Sequence, residues 1–165
     1  MATSSRYVVQ YRRRREGKTN YRKRLKLLKS RKIRLVIRKT NTSIISQLVQ
    51  YKPEGDFVIY GNTSKVLKDY GWNHSFKCLP AAYLFGLYMG KKIKGLKIND
   101  LVIDLGLHPS TKGGRIYAFL KGVIDAGVSL NVDSDMFPAE ERLIGMHIDE
   151  NLKNDVEKVK KAILS

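Results

Sequence analysis

The chain has 165 residues, of which 32 are Lys or Arg and 15 are Asp or Glu, so its formal net charge is +17. A hydrophobic fraction of 42% is enough for a core and excludes a wholly disordered chain, while the single cysteine excludes an internal disulfide and a zinc site built from cysteine pairs. The charge indicates a polyanionic partner, which is a nucleic acid or, as the alternative, an acidic membrane surface.

Two observations weigh against a membrane. No apolar run approaches the roughly 18 residues that a spanning helix needs. The basic N-terminus also lacks the apolar stretch of a secretory signal. We therefore expect no membrane partner.

The positive charge is concentrated at the N-terminus. Residues 1–40 contain 16 basic residues and one acidic residue, Glu16, whereas residues 41–165 are nearly neutral. Like charges repel one another, so such a run stays extended until a polyanion neutralises it. We predict that residues 1–18 form a basic, extended RNA-binding arm and that residues 19–165 form a single α/β domain.

The first half of the domain predicts one helix and three strands. Thr19 is a candidate N-cap, and Tyr21, Leu25 and Leu28 follow at the spacing of one helical stripe. Alternating and apolar runs separated by turn residues then predict a three-stranded antiparallel meander. The predicted elements are the helix Thr19–Lys29 and the strands Arg34–Thr40, Ser43–Tyr51 and Phe57–Tyr60.

The second half alternates helices with strands. Gly71 and Gly127 are typical of residues that end a helix, and Pro138 is typical of a residue that begins one. The predicted helices are Lys65–Tyr70, Ala81–Met89 or a little beyond, roughly Arg115–Ala126, Ala139–Gly145 and one from about Asp149 to Leu164, and the predicted strands are Leu101–Leu105 and Val128–Val132. This order indicates a mixed sheet with helices packed on it.

No catalytic or metal site is predicted. Gly17-Lys18-Thr19 resembles the end of a phosphate-binding loop, but Arg12 stands where that motif needs its first glycine. The other polar groups lack the partners for chemistry, since Asp104, His108 and Ser110 are too close in sequence for a triad and two ligands do not close a zinc site. The candidates set aside for metals are His74 and Cys78, and the acidic patch of Asp133, Asp135, Glu140 and Glu141, whose role stays open.

The basic segment instead suits structured RNA. Arginine forks pair with phosphates, and tyrosines among them can stack on unpaired bases or, as an equal alternative for Tyr21, pack on the domain. No helix–turn–helix, zinc finger or basic zipper is present to read DNA. The candidate RNA-binding residues on these grounds are Arg6, Tyr11, Arg12, Arg13, Arg14, Arg15, Tyr21, Lys23 and Arg31.

Several segments in this order resemble a known family. YRRRREGKTNYRKRLKLLKS at 11–30 and RLVIRKTNT at 34–42 are similar to the N-terminal signature of the universal large-subunit ribosomal protein eighteen family, in its archaeal branch, whose eukaryotic counterpart is ribosomal protein L-five. The resemblance continues at 79–90, 101–127 and 141–148. The chain is shorter than the eukaryotic form, which favours an archaeal source.

The resemblance implies a fold, a function and partners. The fold is a three-layer α/β domain with a mixed sheet of ribonuclease-H-like topology, without catalysis or cofactors. The implied function is a structural one in the large ribosomal subunit of the cytoplasmic ribosome, where members bind 5S rRNA and attach it in the central protuberance, beside 23S rRNA and neighbouring ribosomal proteins. The residues implied to lie along RNA are Arg12, Arg13, Arg14, Arg15, Lys18, Tyr21, Arg22, Arg24, Arg34, Arg38 and Asn41.

A further anion site is suggested by sequence alone. Lys112-Gly113-Gly114-Arg115 opens a predicted helix, and helix N-termini favour anions. We therefore add Lys112 and Arg115 to the candidate RNA-binding residues.

Two alternative functions stay open at this point. A metal-dependent nuclease on the same kind of sheet would need converging carboxylates, for which Asp56, Asp104 and Asp125 are the candidates. A non-ribosomal RNA-binding module is the other alternative. An RNA cleavage assay and co-sedimentation with large subunits would distinguish these functions.

Overall fold

The computed structural model describes residues 6–98, 100–148 and 152–164. The helices are α1 (Arg12–Arg15), α2 (Tyr21–Leu28), α3 (Leu79–Gly95), α4 (Arg115–Asp125), α5 (Glu140–Ile144) and α6 (Leu152–Leu164). The strands are β1 (Ile33–Lys39), β2 (Ile44–Lys52), β3 (Gly55–Thr63) and β4 (Leu101–Asp104). Two 3₁₀ helices, Ser64–Tyr70 and Ser134–Met136, complete the regular structure of the described residues.

The strands form a mixed sheet in the order β3-β2-β1-β4. The pairs β1–β2 and β2–β3 are antiparallel, and β1–β4 is parallel. Val36 at the centre of β1 therefore lies opposite Gln47 of β2 on one side and Asp104 of β4 on the other. The α/β prediction of a meander joined by a parallel strand and covered by helices is confirmed.

The two faces of the sheet differ because successive side chains of a strand point to opposite sides. Leu35, Ile37 and Leu48 are fully buried in the core with residues of α3 and α4. The opposite face carries Arg34, Val36, Arg38 and Gln47, and α2 lies over it. The sheet thus has an apolar face under the main helices and a polar face toward the N-terminal segment.

Helix α3 is the centre of the core. It is buried on most sides from Leu79 to Gly90, contacts α4, α5, α6 and the first 3₁₀ helix, and exposes Lys91 and Lys92 near its end. The prediction placed Ala81–Met89, or a little beyond, in this helix and Gly95 past its end. The apolar stretch stops near Met89, but backbone hydrogen bonding continues through the lysine-rich turn, and Gly95 is the last residue of the helix.

The predicted strand Val128–Val132 is wrong. Gly127 adopts a left-handed conformation with φ of 90°, and the Val128 N–H donates to the Val123 carbonyl oxygen at 3.3 Å. This hydrogen bond closes the C-terminus of α4, so the backbone at Val128 is used as a helix cap. Only the Val128 side chain follows the prediction, since it is buried in the core.

Smaller differences concern element type and bounds. The segment predicted as helix Lys65–Tyr70 is the 3₁₀ helix Ser64–Tyr70, which ends at Gly71 with φ of 86°. The helix predicted over Ala139–Gly145 is α5, with Gly145 as its left-handed C-terminal residue. The predicted start of the last helix at Asp149 lies outside the described residues.

Candidate nucleic-acid interface

The basic segment before α2 is locally ordered. The structure corrects the prediction of an extended chain at Arg12–Arg15, which form one helical turn, with the Arg15 N–H donating to the Tyr11 carbonyl oxygen at 3.1 Å. Glu16 supplies the local counter-charge, since its carboxylate lies 2.8 Å from Lys18 Nζ and 3.6 Å from Arg12 Nε. The four arginine side chains are nevertheless exposed and project their charge into solvent.

A short connection leads from this turn into α2. The N-cap of α2 is Asn20, whose side chain accepts a hydrogen bond from the Lys23 N–H at 3.1 Å, so the predicted cap at Thr19 is wrong by one residue. Thr19 Oγ1 instead accepts a hydrogen bond from Arg13 Nε at 2.9 Å. The rings of Tyr11 and Tyr21 lie 5.1 Å apart and are tilted by 44°.

The face of α2 toward the sheet differs from the predicted stripe. Tyr21, Arg24 and Leu27 line the space above the sheet, whereas Leu25 is 58% exposed. The observed contacts follow the spacing i, i+3 and i+6, so the helix is rotated away from the predicted Tyr21–Leu25–Leu28 seam. Sequence periodicity alone cannot distinguish these faces, because Leu25, Leu27 and Leu28 together spread over nearly half of the circumference of α2.

Beneath α2 lies a network of three arginines and two aspartates. Asp56 Oδ1 is 2.9 Å from Arg24 Nη2 of α2, and Asp56 Oδ2 is 2.8 Å from Arg34 Nη2 of β1. Asp104 at the end of β4 contacts Arg34 Nη1 at 3.0 Å and Arg38 Nη2 at 3.2 Å, and it accepts the Gly106 N–H at 2.8 Å. The Arg34 side chain is only 3% exposed, so these carboxylates replace part of the water it has lost, although Arg34 Nε has no hydrogen-bond partner within the described residues.

The arginines keep both carboxylates charged. Burial by itself would raise the pKa of Asp56, but its hydrogen bonds with Arg24 and Arg34 outweigh that effect and hold the pKa below the ordinary value. For Asp104, burial again opposes ionisation, while the charge of Arg38, the Gly106 N–H and the two arginine hydrogen bonds lower its pKa. Both groups are therefore carboxylates at neutral pH.

A cleft of about 580 Å³ separates α2 from the polar face of the sheet. Tyr21 and Asn20 lie at its wall, and basic side chains outnumber the two aspartates there. The basic residues of the lining are Arg13, Lys18, Lys23, Arg24, Arg34 and Arg38. The arrangement can attract an anion, since an excess of cations in a concave surface focuses positive potential.

The remaining predicted site residues fall into two groups. Arg6, Arg22 and Arg31 are exposed on or beside the N-terminal segment, and Lys23 Nζ there donates to the Gly106 carbonyl oxygen at 3.1 Å. Asn41 and Arg115 line a separate shallow depression together with Lys77, which the sequence reasoning missed. Lys112 is exposed in the loop before α4.

The residues considered for catalysis serve other contacts. Asp56 and Asp104 bind arginines, and Asp125 accepts a hydrogen bond from the Tyr83 hydroxyl at 3.0 Å. His108 Nε2 accepts from the Lys39 backbone N–H at 3.2 Å, and His74 Nε2 lies 2.9 Å from Asp155 of α6. Within the described part of the chain, no group of three potential metal ligands is present.

The comparisons with known proteins agree with these features. Residues 5–102 match the model of a family described as ribosomal large subunit proteins 60S L5 and 50S L18. Large ribosomal subunit protein uL18 of Korarchaeum cryptofilum (strain OPF8) is 51% identical over 148 residues, which are 90% of this chain and 76% of that relative. Among the described residues, no helix is both long and apolar enough to cross a membrane.

The match extends over the basic segment, the meander, α3 and the start of β4, so it includes the residues of the cleft and its network except Asp104, Gly106 and Leu107. Such membership indicates a structural role on the cytoplasmic ribosome and not an enzymatic one. The chain therefore belongs to the family of large-subunit ribosomal proteins L5 and L18 and is a non-catalytic constituent of the large ribosomal subunit.

Proposed function

We propose that this chain binds 5S rRNA through its basic N-terminal segment and attaches it to the large subunit in the central protuberance. The observation that carries the proposal is a continuous run of exposed cations over residues 6–31, with α2 seated on the polar face of the sheet. Membership in the ribosomal family supports an RNA partner, and the resemblance of the N-terminal signature supports 5S rRNA.

The proposal divides the chain into an arm and a domain. Residues 6–18 contribute no buried side chain, which supports residues 1–18 as an RNA-binding arm and residues 19–165 as the folded domain. In this assignment α2 belongs to the domain but extends the basic surface of the arm. The exposed cations proposed to pair with phosphates are Arg6, Arg12, Arg13, Arg14, Arg15, Lys18, Arg22, Lys23 and Arg31.

The arginines of the network have different proposed roles. Arg38 is 36% exposed and can reach a phosphate while it keeps its contact with Asp104. Arg34 is almost fully buried, so it would have to leave two carboxylates to reach RNA. We assign Arg34 to the support of the surface, whereas Arg24, with 30% of its side chain exposed, lies at the edge of the RNA contact.

Two further features extend the proposed surface. Tyr11 and Tyr21 lie side by side next to arginines, an arrangement that can stack on an unpaired base. The second depression with Asn41, Lys77 and Arg115, and the nearby loop residue Lys112, offers a separate contact for rRNA. In the assembled subunit, 23S rRNA and neighbouring proteins of the central protuberance complete the proposed set of partners.

Filter binding with a labelled 5S rRNA transcript tests the proposal, with transfer RNA as competitor. We expect 5S rRNA to bind tightly at moderate salt and to resist an excess of transfer RNA. We also expect the protein to sediment with large subunits through high salt. Equal affinity for the two RNAs, or loss of the protein from washed subunits, would contradict the assignment.

A further inference from the structure

Asp56 is an acidic residue within a surface built to attract a polyanion. Its carboxylate lies under α2 and contacts Arg24 of α2 on one side and Arg34 of β1 on the other. Such a charge by itself is unfavourable for RNA binding, because it repels phosphates and cancels one positive charge of the protein. The contacts of Asp56 with Arg24 and Arg34 indicate that its carboxylate also has an effect that favours RNA binding.

Helix α2 has few other attachments to the domain. It is eight residues long and has no buried residue, with only Tyr21, Arg24, Leu27 and Leu28 partly covered. A helix of this length is marginal in isolation and depends on tertiary contacts. Among the described residues, its polar contacts to the sheet side are the Arg24–Asp56 ion pair and the hydrogen bond from Lys23 Nζ to the Gly106 carbonyl oxygen in the loop after β4.

The position of α2 decides where its exposed cations lie. Arg22 and Lys26 are exposed and absent from the lining of the cleft, and Lys29 is exposed directly after the last residue of the helix. A cation held in place pairs with a phosphate at a smaller entropic cost than one on a mobile segment. A group that fixes α2 therefore favours RNA binding even when its own charge opposes it.

We propose that Asp56 is a positioning residue for RNA binding, whose carboxylate fixes the basic helix α2 on the sheet through Arg24. The inference rests on the proposed function for its RNA readout. The inference predicts an affinity change opposite to the one expected from net charge. Neutralising Asp56 makes the chain more positive and yet weakens its binding to RNA.

Asp104 is less suitable for testing this idea. Its side chain is 9% exposed and holds the buried Arg34 as well as the Gly106 backbone, so its removal disturbs the sheet itself. Asp56 is 30% exposed and lies at the tip of the β2–β3 hairpin. Glu54 provides a matched control, because it is exposed, two residues away, and forms no ion pair within the described part of the chain.

The experiment compares Asp56→Asn, Asp56→Glu and Glu54→Gln with the parent chain. We expect Asp56→Asn to weaken binding of a 5S rRNA transcript about two- to tenfold, the range for losing one partly exposed charged hydrogen bond. Glu54→Gln should bind as tightly as the parent or slightly more tightly. Asp56→Glu should recover most of the affinity, since it restores the charge at nearly the same place.

Amide exchange without RNA measures how readily α2 opens, and so how firmly the helix is held on the sheet. We expect faster exchange of the α2 amides in Asp56→Asn and unchanged exchange in the strands β1 and β2. Arg24→Gln gives the same increase in α2 while it leaves Arg34 paired, which separates the loss of the α2 contact from any damage caused by an unpaired Arg34.

Two results would overturn the inference. One is Asp56→Asn binding RNA as tightly as Glu54→Gln, and the other is unchanged exchange of α2 in both Asp56→Asn and Arg24→Gln. If the parent chain fails to select 5S rRNA, the proposed function is wrong, and the exchange comparison still decides whether Asp56 positions α2.

Discussion

Gly86 of α3 and Gly122 of α4 lie in direct backbone contact where the two central helices cross. A Cβ atom on Gly122 would lie 2.2 Å from the Tyr83 carbonyl oxygen and 3.0 Å from the Gly86 Cα. A Cβ atom on Gly86 would lie 2.1 Å from the Phe119 carbonyl oxygen. The close approach brings Phe85 and Phe119 together, with ring centroids 5.4 Å apart. This crossing determines how α3 and α4 cover the apolar face of the sheet.

Replacing Gly122 by alanine should therefore destabilise the fold. The clash is with backbone atoms, which cannot move without separating the helices, so we expect a loss of about 3 kcal/mol in the free energy of unfolding. Urea unfolding measures it. Gly95→Ala is the control at the end of α3, where a Cβ meets nothing within 4 Å, and it should be neutral or stabilising by up to about 1 kcal/mol. Equal urea midpoints for Gly122→Ala and Gly95→Ala would contradict the close backbone contact between α3 and α4.

The arginines of α1 should determine much of the salt dependence of RNA binding. Counterion release gives a slope of log affinity against log salt of about −0.7 to −0.9 per phosphate contact. Replacing Arg12–Arg15 by alanine should reduce the magnitude of the slope by about 2 to 4. Filter binding of 5S rRNA over a salt series measures it.

The control for this variant removes four charges elsewhere. Lys65, Lys68, Lys153 and Lys161 are exposed and lie outside the N-terminal segment. Their replacement by alanine should change the slope much less. If both variants reduce the magnitude of the salt slope equally, RNA binding depends on the net charge of the chain and not on the arm.

The Tyr21 ring should contribute to affinity without contributing to the salt slope. It lies beside Tyr11 and is partly exposed at the wall of the cleft, so it is available to stack on a base. Tyr21→Ala should lower the affinity for 5S rRNA by about 1–3 kcal/mol at an unchanged slope. Leu25→Ala, at an exposed position on the same helix, should leave affinity and melting temperature as they are. A lower melting temperature with normal affinity for Tyr21→Ala would show that the ring packs on the domain instead.

The network under α2 should make stability sensitive to acid. Asp104 has a pKa below the ordinary value of 3.8, so its stabilising contribution is fully present above that value and is lost as the pH falls through the lower, folded pKa. At pH 7, Asp104→Asn should cost about 3 kcal/mol, since it leaves the buried Arg34 with one carboxylate. Below about pH 4 the difference from the parent should shrink, because the parent carboxylate becomes protonated as well.

Urea unfolding over a pH series checks this expectation. Glu157→Gln on α6 is the control, because Glu157 is exposed and forms no ion pair within the residues described. It should follow the parent at each pH. A constant difference between Asp104→Asn and the parent down to pH 2 would mean that folding does not lower the pKa of Asp104.

Local patterns in the sequence were sufficient for most of the architecture. Three local patterns were enough to predict the meander and the central helix: the alternation of basic and apolar residues in β1, the turn residues around β2 and β3, and the apolar run of α3. Each of them extends over only a few residues. The concentration of charge before residue 40 is also a property of the sequence alone, and with the resemblance it led to a ribosomal RNA-binding protein. The predictions were wrong where local signals compete, as at Val128, whose β propensity yields to the cap of α4.

Only the tertiary structure decided what each charge in the basic surface does. Arg34 and Arg38 belong to one pattern on β1, yet the first is buried between two carboxylates and the second is partly exposed. Asp56 and Asp104 lie 22 and 70 residues from Arg34 in the chain and meet it through the sheet register, with Asp104 beside Val36 on the parallel strand. A buried arginine needs such partners to offset lost hydration, and their position depends on strand pairing across the whole sheet. No local pattern in the sequence contains that pairing.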